Sequence, residues 1–296
     1  TQSPQPSDAF DWVALEGAQL SAAVARSPEG IRTAPEGPVV MLGFSHDRAV
    51  VDTDAGRQAL ALSLDRTALV EQFFSPGAQA LAQFTPPGNA AQPAFDGYQL
   101  DPARARQALA DAGFEGCNAI PENLLVLVPN DDPVWVELGN AIVQQWAENL
   151  GCNPALFEVR ALPRTLIIEL AHNTYDIETV TRSHMWIATW SADYPDSVAW
   201  INDALHCRYG YIQPGRTCGA ADSLLDRAAS SADEATRADL LTQAEEAFFG
   251  ARGSFPVAPL YVMTRGWFEQ PWLTGVNEFG AARYDLWTLD TEAQPD

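Results

Sequence analysis

Lysine is absent from this chain of 296 residues, so its permanently charged cationic side chains are 17 arginines, set against 39 aspartates and glutamates. The resulting formal charge of −22 excludes a nucleic-acid-binding surface or an anionic-membrane surface, because both require a basic field. Such acidity suits an extracytoplasmic, well-solvated surface. Long apolar runs are missing too, and none approaches the roughly 20 residues needed to cross a bilayer. The opening Thr1-Gln-Ser-Pro-Gln-Pro6 is not a signal peptide, and the expectation is that targeting was removed or the chain trimmed.

Catalytic signatures are equally scarce. There is no H-E-x-x-H, no G-x-S-x-G and no Gly-rich phosphate loop. His46, His172, His184 and His206 stand singly and read as satisfied turn or helix-end residues. Asp52-Thr-Asp54 lacks the third ligand, the sharp-turn glycine and the closing glutamate of a calcium loop. No catalytic residue, metal site or cofactor is therefore expected. Cysteine is limited to Cys117, Cys152, Cys207 and Cys218, with no C-x-x-C and no His at zinc-finger spacing.

What is present is a chain 47% hydrophobic, long enough for one large domain or two ordinary ones. Phe10 to Ala25 reads as a strand and a helix, and Val39-Val-Met-Leu-Gly-Phe44 as a buried strand. From Asp54 the period is helical, with Ala59, Leu62, Leu69 and Phe73 on one face and Asp52 or Thr53 as N-cap. Residues 75–100 form a loop rich in Gly and Pro. Two helices are clearly punctuated: Asp101, Pro102 and Gly113 delimit one, Asp132, Pro133 and Gly151 the other.

Leu124 to Val128 and Ala155 to Arg160 flank the second of these helices, which makes a βαβ unit with parallel strands. Cys117 and Cys152 each lie a few residues upstream of one of those strands, at the same end of the sheet, so they are expected to pair. Cys207 and Cys218 bracket a loop with Gly210, Pro214 and Gly215 and form the second expected bridge, which implies an oxidising compartment. Pro163 opens a further helix, Tyr175 to Thr181 reads as a strand, and Met185 to Trp190 is an apolar run ending in Trp190-Ser-Ala-Asp-Tyr-Pro-Asp196. Helices follow at Asp222 to Ala229 and Glu234 to Phe249, and Phe255 to Met263 is a strand whose prolines suit an edge or a crossover.

Four stretches stand in an order that resembles the extracellular solute-binding proteins of ABC importers, in the oligopeptide and dipeptide-binding class. Arg57-Gln-Ala-Leu-Ala-Leu-Ser-Leu-Asp65-Arg66 is similar to that family's "RQALALAIDR" helix, and Leu100 to Phe114 to its "YDPEKARALLAEAGF" segment. Trp190 to Asp196 is similar to "GWSADYPDP", and Ala258-Pro-Leu-Tyr261 to its "PLY" strand. The match departs from the family between Asp176 and Trp190, where Ile177 to Thr189 is an apparent insertion, and at Pro195-Asp196-Ser197.

The resemblance implies an α/β, periplasmic-binding-protein-like lobe with a mixed, largely parallel sheet flanked by helices. It implies segments of a first lobe in residues 1–50, the second lobe in residues 51–263 and a return towards the first lobe in residues 264–296. The ligand-binding residues expected are Asp193, Trp190, Tyr194 and Trp186, with Asp193 in the position that anchors the α-amino group of a bound peptide. Independently of the resemblance, a carboxylate beside aromatic faces suits a cationic amine. The expected partners are a peptide or other amine-bearing solute and the permease of an ABC transporter, outside the cytoplasm. The alternative is a non-catalytic sensing or interaction domain on the same fold.

Overall fold

The computed structural model describes residues 12–15, 17–26, 31–35, 37–74, 77–172, 183–212, 216–274 and 287–293. The elements run β1 (Trp12–Leu15), α1 (Gly17–Arg26), β2 (Ile31–Ala34), β3 (Val39–Phe44), α2 (Asp54–Leu62), α3 (Arg66–Phe73), β4 (Ala78–Ala80) and α4 (Pro102–Asp111). They continue with β5 (Leu124–Pro129), α5 (Val134–Leu150), β6 (Phe157–Leu162), α6 (Arg164–His172), β7 (Met185–Trp190), α7 (Ser197–Leu205), α8 (Ala220–Ser230) and α9 (Glu234–Phe249). The chain closes with β8 (Val257–Met263), β9 (Arg265–Glu269), β10 (Leu273–Thr274) and β11 (Thr288–Leu289).

A six-stranded sheet in the order β4-β8-β3-β7-β5-β6 organises the fold. The expected βαβ unit is there: β5 and β6 run parallel, Leu124 opposite Phe157, with α5 between them in sequence and lying against both. The mixed character is as expected, but "largely parallel" is corrected: only β7-β5 and β5-β6 are parallel, while β4-β8, β8-β3 and β3-β7 are antiparallel. Strand β3, expected within the 1–50 segment, sits at the centre of this sheet between β7 and β8, with every residue buried. A smaller sheet, β1-β9-β2, continues from β8 through Thr264.

Two further expectations are corrected. The helical stretch from Asp54 is two helices, because Asp65 turns its side chain onto Ala68 N–H and caps a new start. Helix α5 holds the break open: Gln145 bonds the N–H of Asp65 at 2.7 Å, Asn149 donates to Ser63 O at 2.8 Å, and the Trp146 indole donates to Leu60 O at 3.0 Å. Of the edge or crossover expected of it, strand β8 is no edge, since it pairs with β4 on one side and β3 on the other, but it does cross through Thr264 into the smaller sheet. Its Pro259, which has no N–H to donate, is tolerated where the register with β3 shifts, and its carbonyl accepts from the Tyr98 hydroxyl at 2.7 Å. The strand expected at Tyr175 to Thr181, residues 177–182 of the insertion after Asp176, and residues 1–9 lie outside the described residues.

The expected caps are in place: Thr53 on Gly56 N–H, Asp101 on Arg104 N–H, and Asp132 on Val134 N–H, with Gly151 in the left-handed conformation at φ 77°. Both expected bridges are formed, Cys117–Cys152 with Cα atoms 5.3 Å apart and Cys207–Cys218 at 5.1 Å.

The long segment 81–100 has no regular structure, so its backbone polar groups need side-chain partners. Helix α9 supplies them. Glu234 accepts from Ala91 N–H at 3.3 Å, Thr242 from Ala94 N–H at 2.9 Å, and Glu245 from Phe84 and Thr85 N–H at 3.0 and 2.8 Å. Glu245 is fully buried, and burial pushes its carboxyl up to about 7 against the pull of those N–H groups.

The folded state therefore retains a proton that the unfolded chain releases near pH 4.5, so stability falls as pH rises from about 4.5 to about 7. The expected loss from this one group is on the order of 3 kcal/mol. Denaturant unfolding of Glu245→Gln against the wild type across pH 4 to 8 measures it as a difference. Equal pH slopes for the two proteins would show that Glu245 titrates normally.

Candidate functional site

The parallel strands β5, β6 and β7 all end at the same edge of the main sheet, and α5, α6 and α7 begin there. Ligand sites of α/β sheets lie outside the carboxyl ends of such strands. The chain also crosses to the smaller sheet at this edge. Gly37 N–H donates to Met263 O at 2.8 Å and Met263 N–H to Pro38 O at 2.9 Å, joining the segment after β2 to the exit towards β9. A cavity of about 360 Å³ opens here, lined by Pro38, Trp135, Arg164, Thr189, Thr264 and Arg265 among others. Arg164 is fixed by Asp131 at 3.0 and 3.2 Å and lies over the Trp135 ring.

The turn from Trp190 to Asp196 leaves the end of β7 at this edge. Two supports hold it. Asp196 caps α7 by accepting from Val198 N–H at 2.9 Å, and its second oxygen pairs with Arg237 of α9. Ala90 of the long segment clasps the turn, donating to Pro195 O at 3.1 Å and accepting from Ser197 N–H at 3.0 Å, while Asn89 accepts from the Trp200 indole at 2.8 Å. The bracing thus runs from α9 through residues 84–94 to the turn itself.

Asp193 is exposed and has no hydrogen-bond or ion-pair partner among the described residues. Asp196, not Asp193, does the capping. Tyr194 is half exposed, and its hydroxyl is pushed up by partial burial and then by Asp203 and Asp196, a sign of the negative field over this edge. Trp190 is half-buried, its ring 5.2 Å from that of Tyr211 and inclined at 35°.

Trp186 stands apart from this group: it is 1% exposed and its indole covers Gly43 on the facing strand. The structure therefore brings Asp193, Trp190 and Tyr194 together at the surface and places Trp186 in the core. Tyr211 is the residue that reading the sequence missed. The signal was two tyrosines, Tyr209 and Tyr211, inside the loop bracketed by Cys207 and Cys218.

The histidines whose side chains are described serve the fold. His184 is buried and accepts from Leu125 N–H at 3.1 Å, with its charged form disfavoured by burial and by Arg48. His206 is buried, accepts from Arg208 N–H at 3.2 Å and stacks on Tyr209. His46 contacts Pro256 O at 3.3 Å and is lowered to about 3 by burial and by Arg57. His206, Cys207 and Asp222 converge, but the Cys207 sulfur is spent in its bridge and Asp222 on Arg216, so the set cannot offer three free metal ligands.

A mixed sheet flanked by helices, with a chain crossing at the carboxyl ends of its parallel strands, is a fold of the periplasmic-binding-protein type. Residues 7–211 match the middle segment of the bacterial extracellular solute-binding proteins, family 5, and the chain belongs to that family.

The periplasmic oligopeptide-binding protein OppA of Escherichia coli is 26% identical over 229 residues, covering 74% of this chain and 38% of the relative. OppA of Bacillus subtilis is 24% identical over 278 residues, covering 90% and 48%. Among solved structures, the Escherichia coli murein tripeptide binding protein MppA superposes with a TM-score of 0.72 at 19% identity, covering 95% of this chain and 54% of its own. Haemophilus influenzae OppA in complex with RPPGFSPFR gives 0.67 at 18%, covering 90% and 51%. The chain thus spans half or less of the length of the curated relatives it matches.

A methyl group at Gly43 would fall within the Trp186 indole. Gly43→Ala is expected to cost about 1–3 kcal/mol by overpacking, read from the midpoint of denaturant unfolding. A neutral outcome would mean that the ring has room to move and is not locked in the core.

Proposed function

We propose that this chain carries the second lobe of an extracytoplasmic binding protein that captures a peptide-like, amine-bearing solute and hands it to an ABC-type importer. The single observation that carries this reading is Asp193: an exposed carboxylate at the carboxyl end of β7, without a partner among the described residues, while Asp196 three residues on meets the needs of the turn. Membership of an extracellular solute-binding family supports the same reading. The lobe is proposed as residues 51–263 with β3 added, because Val39–Phe44 completes its sheet. Strands β1 (Trp12–Leu15), β2 (Ile31–Ala34) and β9 (Arg265–Glu269), joined in the smaller sheet, are proposed as belonging with the first lobe.

The chemistry proposed is capture and release. Asp193 accepts hydrogen bonds from the ammonium group, the aromatic faces exclude water from it, and closure against the opposing lobe completes the desolvation. No bond of the solute is broken. The side chains of His46, His184 and His206 are engaged with backbone groups.

The test is Asp193→Asn in the full-length protein, which keeps the shape and removes the charge. Affinity for an amine-bearing peptide is expected to fall about tenfold or more, because a hydrogen bond to a charged group is worth roughly 1.5–3 kcal/mol and 1.4 kcal/mol is one decade. Thermal stability should stay nearly unchanged. Unaltered affinity with a lowered melting temperature would make Asp193 a turn residue and overturn the reading.

A further inference from the structure

The chain leaving α7 folds back along it. Gly210 N–H donates to His206 O at 2.8 Å, Tyr211 N–H to Asp203 O at 2.7 Å and Ile212 N–H to Ala204 O at 2.8 Å. Gly210 is pressed so close to the His206 backbone that a Cβ has no room there.

The far side of the loop is fastened at a second place. Asp222, buried, accepts from the N–H groups of Cys207 at 2.9 Å and Gly219 at 2.7 Å and pairs with Arg216, whose guanidinium also donates to Leu205 O at 2.7 Å. Burial pushes the Asp222 carboxyl up, but Arg216 and the two N–H donors outweigh it and hold the group below the usual carboxylate range. Across this clasp runs the Cys207–Cys218 bridge. The outcome is an aromatic ring, Tyr211, standing 42% exposed against Trp190 at the ligand-facing edge.

A large exposed ring held by three backbone hydrogen bonds, a buried ion pair and a disulfide is preorganised apolar surface, three residues from Asp193 by way of Trp190. We infer that Tyr211 is a specificity-determining residue: its ring and that of Trp190 receive the side chain next to the ammonium group of the solute, favouring an aromatic or long apolar group there, and the Cys207–Cys218 bridge keeps the ring in place. This rests on the reading of Asp193 as the ammonium anchor. A small polar side chain would leave both ring faces wet.

Calorimetry on the full-length protein with phenylalanyl-alanyl-alanine and glycyl-alanyl-alanine tests it. The wild type should prefer the first peptide by about tenfold or more; Tyr211→Ala should abolish that preference by weakening the first peptide alone, and Tyr211→Phe should restore it. The double variant Cys207→Ser with Cys218→Ser should behave as Tyr211→Ala, and a wild-type preference in that variant would remove the bridge from the inference. Equal loss for both peptides, or none, in Tyr211→Ala overturns the role of Tyr211. Asp193→Asn should weaken both peptides alike. If it weakens neither while Tyr211→Ala abolishes the preference, the ammonium anchor falls and the aromatic subsite stands; if the wild type binds neither peptide, both fall.

Discussion

Strand β3 is the constraint on which the rest of the structure depends. It is hydrogen-bonded along both edges, to β7 and to β8, and so joins the antiparallel half of the sheet to the parallel half. Val39, Val40, Met41, Leu42 and Phe44 are wholly buried, and at roughly 1.5–3 kcal/mol for each large side chain their burial outweighs exposed ion pairs such as Arg160–Glu158, for which about 0–1 kcal/mol is usual. The register of β3 with β7 sets Val39 opposite Trp190, and that places the end of β7, and with it the turn carrying Asp193, at the edge where the chain crosses to the smaller sheet.

Arginine is what makes an acidic, lysine-free chain able to close over its own loops. Arg57, 3% exposed, donates to Ser254 O, Phe255 O and Val51 O and pairs with Asp54; burial lowers its guanidinium to about 10 against the pull of Asp54 and Asp52, so it stays charged at neutral pH. Arg66 reaches Leu81 O and Tyr98 O while its guanidinium lies 3.8 Å from the centre of the Tyr98 ring. A planar fork with five donors satisfies several carbonyls of an irregular segment at once, which the compact ammonium of lysine does less well. Arg57 and Arg66 thus spend their positive charge inside the fold, on backbone carbonyls.

Much of the fold was legible because its cues are local. The Asp-Pro starts at Asp101 and Asp132, the glycine stops and the short links around β5 and β6 are read within a few residues, and each is realised. What was not legible depends on distant partners. The break at Ser63–Asp65 requires Gln145 and Asn149 of α5, and the interior placement of β8 despite Pro259 goes with the register shift against β3. At the site, Asp193 with its two aromatic neighbours was visible as a contiguous motif. Trp186 was assigned to it by chemical type alone, and the facing Gly43, which gives its indole a place in the core, lies on another strand. Tyr211 was overlooked because only the return of the loop along α7 brings it to Trp190.

The Cys117–Cys152 bridge has a consequence for how the chain reaches this structure. Parallel strands are the costly pairing to find, because an entire helix must be looped out before the first ladder bond forms. Here the bridge spans 35 residues and ties the approach to β5 to the approach to β6. Once oxidised, the chain meets the pairing of Leu124 with Phe157 as a short-range encounter, with a correspondingly lower effective contact order. In a reduced chain the same encounter is long-range, and the open edge of β5 is exposed for longer to other unfolded chains.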